Sequence, residues 1–195
     1  MKIATILLVL IAVSSVYTAD VCEETLTQHN CEFYSNCLEK KFECGAKGYP
    51  IGYGFKYCSK FLANQKSFPP KGQEWIDSTL LCLKQALIPF TTKNKDSNTC
   101  TNILNAAFDS HPECYVKAGF CQLFFRADVG DTIKALLATY EVNDFKSLIS
   151  IKQIFETAKL CGADFLKKIW DIINGKGFLE TSFENFLAES KDILN

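Results

Sequence analysis

Ile76-Asp77-Ser78-Thr79-Leu80-Leu81-Cys82-Leu83-Lys84-Gln85-Ala86-Leu87-Ile88-Pro89-Phe90 reads IDSTLLCLKQALIPF, with Ile76, Leu80, Leu83, Leu87 and Phe90 at offsets 0, 4, 7, 11 and 14. That spacing returns to one side of a 3.6-residue turn and predicts an amphipathic α-helix. Pro69-Pro70 and Gly72 precede the stripe as punctuation. A polar, lysine-rich break follows at residues 91–98, and Cys100, Ile103, Leu104, Ala107 and Phe108 mark a second helix.

Downstream the same period recurs. Ser110-His111-Pro112-Glu113 has the form of a capping box, in which the Ser hydroxyl and the Glu side chain satisfy each other's free amides. It predicts a new helix start, with Pro112 tolerated in the first turn and Cys114, Ala118, Cys121 and Phe125 on one inward side. Ile133, Leu136, Leu137 and Tyr140 form the next stripe, then Phe145, Leu148, Ile151, Phe155 and Ala158, then Phe165, Ile169 and Ile173. Gly175 and Gly177 end that run, and Phe178 to Leu194 is a last candidate helix with Phe183, Phe186, Leu187 and Leu194 inward. No alternating strand pattern of useful length occurs, so the fold class is all-α.

Residues 22–57 differ. They are dense in cysteine and contain GYPIGYGF (Gly48 to Phe55), where turns are expected to interrupt short helices. The prediction is a disulfide-stapled helical bundle with an irregular cysteine-rich N-terminal part.

Met1 to Ala19 has one Lys, the apolar run Ile3 to Val13, then Ser14 and Ser15, the layout of a secretory signal peptide over residues 1–19. Its apolar core is about a dozen residues, short of the roughly 20 that span a bilayer. Residues 20–195 are read as a single domain, and at that size most of the chain's surface is buried without covalent help. The greasiest later stretch, Leu160 to Ile173, is interrupted by Asp164, Lys167, Lys168 and Asp171, so no membrane span is expected. Net charge after signal removal is about −2 with mixed signs, which argues against a nucleic-acid partner.

All ten cysteines (Cys22, Cys31, Cys37, Cys44, Cys58, Cys82, Cys100, Cys114, Cys121 and Cys161) follow the signal. An even number in an oxidising compartment reads as five bridges, although counting alone leaves the connectivity open. Sixteen Phe are the main compositional oddity. They are read as core packing between helices, with a ligand-lined cavity as the sharper alternative.

Chemistry for catalysis is sparse. A serine or cysteine hydrolase would need His29 or His111, the only two histidines, as its base, and His111, at the start of a helix, is expected on the surface. No G-x-S-x-G, H-E-x-x-H, P-loop or C-x-x-C is present, and Gly52 with Gly54 lacks the third glycine of a dinucleotide fingerprint. Asp128 and Asp131 around Gly130 are read as helix capping rather than as a calcium site, and no EF-hand loop occurs. The expectation is a non-enzyme without cofactor or metal that acts by binding.

The order Cys22, Cys31, Cys37, Cys44, Cys58, the segment YCSKFLANQKSFPPKGQEWIDSTLLCL (Tyr57 to Leu83), Glu113-Cys114-Tyr115, and the intervals from Cys100 through Cys114 to Cys121, closed by Cys161, resemble the stanniocalcin family over residues 22 to about 175. The resemblance implies an extracellular hormone or regulatory ligand of calcium and phosphate homeostasis with a protein partner. Carried over residue by residue, it implies the pairs Cys22–Cys37, Cys31–Cys58, Cys44–Cys100, Cys82–Cys114 and Cys121–Cys161. The family's eleventh, interchain cysteine has no counterpart after Cys161, so no covalent dimer is expected and a non-covalent one stays open. An N-x-S/T sequon is also missing; only Asn98-Thr99-Cys100 comes near it. A secreted helical lipid-binding protein is the alternative from another functional class.

Overall fold

A computed structural model describes residues 22–27, 29–140 and 148–175, with the side chains of 148–151 and 173–175 left aside. The signal segment, Phe145 and the candidate helix Phe178 to Leu194 therefore lie outside the described residues. Among the described residues every regular element is helical and no strand occurs.

The chain divides into two compact units, Met1–Lys66 with Ile76–Ser110, and Ser67–Trp75 with His111–Asn195. In the first unit, the cysteine-rich part is more regular than its composition suggests. Phe33–Glu39 winds as a π-helix that continues into a short α-helix, Lys40–Phe42. The chain then leaves through Glu43 and Gly45, both in the left-handed region at φ 50° and 84°. Pro50–Phe55, within the Gly- and Tyr-rich stretch, is also π-helical and runs on as α1, Lys56–Asn64. The wide turn brings Gly54 against Tyr34, so that a Cβ at Gly54 would meet the Tyr34 ring at 2.5 Å. Expected turns are thus replaced by two π-helical stretches, which accommodate the ring where a side chain would collide. Burial pushes the Tyr34 phenol well up from its ordinary pKa.

Helix α2, Pro70–Gln85, begins at Pro70 and contains Gly72 rather than following both. Pro70 has no N–H to leave unpaired in the first turn, and Gly72 makes room for Phe68, whose Cβ would lie 3.1 Å from an added Cβ. Ile76, Leu80, Leu83, Leu87 and Phe90 are all buried, although α2 stops before Leu87. Pro89 then sits in a separate turn of helix, Ile88–Thr91.

Helix α3, Thr99–Lys117, is one uninterrupted element. The predicted start at Ser110 is not there. Ser110 Oγ donates backward to the Ala107 carbonyl at 2.7 Å, an interior helix bond, and Pro112 lies inside the helix. The same correction separates Cys114 from Cys121. Gly119, at φ 102°, ends the helix, and Cys121 belongs to a new turn, Phe120–Leu123. Phe125, expected inward, is exposed.

The second unit adds α4, Val129–Thr139, α5, Leu148–Cys161, and α6, Ala163–Gly175. Gly162, at φ 86°, closes α5 by donating its N–H to the carbonyls of Ala158 and Lys159, and α6 packs back on α5. Phe165 is the buried anchor of α6, with its ring 5.0 Å from Phe124 and 6.1 Å from Phe120.

Candidate interaction surface

Disulfides staple both units. They join Cys22 to Cys37, Cys31 to Cys58 and Cys44 to Cys100 in the first unit, and Cys121 to Cys161 in the second. Their Cα–Cα separations run from 5.0 to 5.7 Å. Cys82 and Cys114 are disulfide-bonded as well, and no free cysteine exists. No thiol remains for a covalent dimer.

The cross-links are reinforced by a buried cation. Lys84 is completely buried, and its Nζ donates to the carbonyl of Asn30 at 2.7 Å and to that of Thr27. Desolvation brings its pKa down to about 8. Beside it, His29 Nε2 lies 3.1 Å from Asp77 Oδ1, which also accepts a bond from Gln65 Nε2 at 2.7 Å. His29 is thus placed with an acid and an amide.

His111 is not at the surface. It is 1% exposed, its Nδ1 lies 3.1 Å from Gln153 Oε1, and Tyr115 Oη is 3.5 Å from the same nitrogen. An amide oxygen only accepts, so Nδ1 carries the proton and donates. Tyr115 Oη in turn lies 3.4 Å from Tyr140 Oη. Burial outweighs the Gln153 bond and lowers the imidazole pKa to about 4. Ser110 and Pro112 on either side of His111 look like start signals in sequence. The helix runs through both, so the ring lands inside.

The inward sides of α4 and α5 are correspondingly polar. The buried positions of α4 are Thr132, Ala135 and Thr139, and those described in α5 are Gln153 and Thr157. Thr139 and Thr157 hydroxyls donate to the carbonyls four residues earlier, Ala135 and Gln153. The predicted apolar stripes are rotated outward: Ile133 and Leu136 are half-buried, and Leu137 and Phe155 are exposed.

Asp128 and Asp131 are held by cations. Asp128 accepts from Arg126 Nε at 3.0 Å and Nη2 at 3.2 Å, and Asp131 pairs with Lys134 at 3.4 Å. Asp128 stands at the N-cap of α4 but makes no side-chain capping bond, which corrects the expected role. Among the described residues no group of three or more His, Cys, Asp and Glu could hold a metal ion.

The feature left without an interior role is an apolar surface. Phe125, Leu137, Ile154, Phe155, Leu160, Leu166 and Trp170 are exposed, all in the second unit. Leu166 and Trp170 are 52% and 54% exposed and one turn apart on α6. They lie about 100° and 140° round the axis from buried Phe165, so α6 is apolar on two adjoining sides and packs only one of them. Exposed Lys152, Lys159 and Lys167 stand among exposed Glu156, Asp164 and Asp171 on the same hairpin. Two large apolar side chains exposed one turn apart on a helix are the make-up of a contact surface. No helix among the described residues is long and apolar enough to cross a membrane.

Comparison with family models, with curated proteins and with solved structures finds no match.

Proposed function

We propose that this protein is a secreted, stanniocalcin-like regulatory ligand that acts by contact with a protein partner rather than by catalysis, in calcium and phosphate handling. The observation that carries the reading is the cysteine framework. Ten cysteines in the order that resembles that family are all oxidised within one all-helical chain, a state that persists in extracellular compartments. The exposed strip around Leu166 and Trp170 gives such a ligand a surface with which to act.

The test has two arms. Purified exported protein is applied to responsive cells and calcium flux is recorded, and the same protein is used to capture surface proteins. A flux change lost in Trp170→Ala, together with a captured surface protein, supports the reading. Saturating protein without response in several cell types counts against it.

A secreted lipid-binding protein is the second reading, and the exposed apolar strip with sixteen Phe favours it. Native mass spectrometry separates the two: co-purified lipid supports the carrier, and a clean polypeptide mass supports the ligand.

A further inference from the structure

We propose that the exposed strip of α6, centred on Leu166 and Trp170, is a docking site for the chain's own residues 178–194, so that an outside partner must displace them. The strip is half of an apolar arc. Phe165 is buried and Ile169 and Ile172 are half-buried on one side of α6, while Leu166 and Trp170 on the next side are open. One neighbouring helix therefore uses only part of what α6 offers.

The covering segment follows α6 in the chain after two residues. The chain continues for twenty residues past Gly175, and Gly175 and Gly177 permit a sharp reversal. At helical spacing Leu179, Phe183, Phe186, Leu187 and Leu194 share one face. Seventeen residues in that spacing measure about 26 Å, enough to run the length of thirteen-residue α6 at about 20 Å. The signs match as well. Glu180, Glu184, Glu189 and Asp192 outnumber Lys191 in the segment, whereas Lys152, Lys159, Lys167 and Lys168 slightly outnumber Glu156, Asp164 and Asp171 on the hairpin.

Tethering decides between this occupant and a second copy. A segment joined to α6 by two residues meets the strip at an effective concentration on the order of millimolar, which a free chain at micromolar concentration does not match. The inference rests on reading the strip as a contact surface, but it does not depend on which partner the protein regulates.

The test places the photoreactive residue p-benzoylphenylalanine at Leu166 in the full chain, where an exposed site tolerates it, and maps the cross-links by mass spectrometry. The expected product has the mass of a single chain and links residue 166 to a peptide within 178–194. Its yield falls roughly tenfold or more in the double variant Phe183→Asp/Phe186→Asp, because the variant replaces two apolar rings of the segment with carboxylates. Links to a second copy, or single-chain products with none in 178–194, overturn the proposal. Failure of partner capture with this cross-link intact rejects only the regulatory reading, and the reverse result rejects only self-docking.

Discussion

His111 donates through Nδ1 to Gln153 Oε1 at 3.1 Å inside the second unit, so a side chain with only a capping motif around it in sequence is a buried hydrogen-bond donor in the fold. The interior holds it neutral. Its folded pKa lies at about 4, below the usual value of 6.5. Between those values the unfolded chain binds more protons, so stability present above pH 6.5 is lost as pH falls to 4. The expected loss attributable to this ring is about 3 kcal/mol. Urea midpoints at pH 7 and pH 4 should converge in His111→Gln once the common carboxylate contribution is subtracted; an unchanged pH slope in that variant refutes the assignment.

Lys84 is predicted to be a structural cation. Lys84→Met keeps the apolar stem but leaves the Thr27 and Asn30 carbonyls without their donor, at a cost of about 2–3 kcal/mol. Because desolvation lowers the folded pKa to about 8 from 10.5, stability from this group rises as pH climbs through that interval. Denaturant titrations at pH 7.5 and pH 10 on wild type and variant measure both effects, and loss of the pH increment in Lys84→Met is the expected result.

Gly54 faces a fully buried ring. In Gly54→Ala the new methyl lies 2.5 Å from Tyr34 Cδ1, so either the π-helix Pro50–Phe55 or Tyr34 must move. Overpacking of this kind costs about 1–3 kcal/mol. Thermal melting with the disulfides intact should show a lower midpoint, while Gly45→Ala, with open space around its Cβ, should suffer only the backbone cost of its positive φ.

The bridge Cys121–Cys161 closes a loop across α4 and α5 in the second unit. Its removal in Cys121→Ser/Cys161→Ser is expected to cost about 2–4 kcal/mol. Limited proteolysis of the variant should cut first within 148–175, and a peptide map of unreduced wild type should recover 121 linked to 161. A map that links Cys114 to Cys121 instead would contradict the structure.

Periodicity in the sequence located the helices where a single apolar stripe faces a single interior. Ile76, Leu80, Leu83, Leu87 and Phe90 were legible because each is buried on the side their spacing defines, with Thr79 and Lys84 buried at its edges. The cysteine order was legible because covalent cross-links depend on residue type. The face of α4 and α5 that turns inward was not. Thr132, Thr139, Gln153 and Thr157 are inside because their side chains bond to backbone and to His111 there, a satisfaction that no single-residue hydrophobicity carries. Nor could local motifs place the course of α3, because Ser110 and Pro112 favour a helix start in sequence and the helix runs through both in the fold. By itself, then, the sequence determined an all-helical chain with paired cysteines, since period and thiol chemistry are local properties. Only the tertiary structure decided that His111 is inside and Trp170 outside, because burial depends on which neighbours arrive.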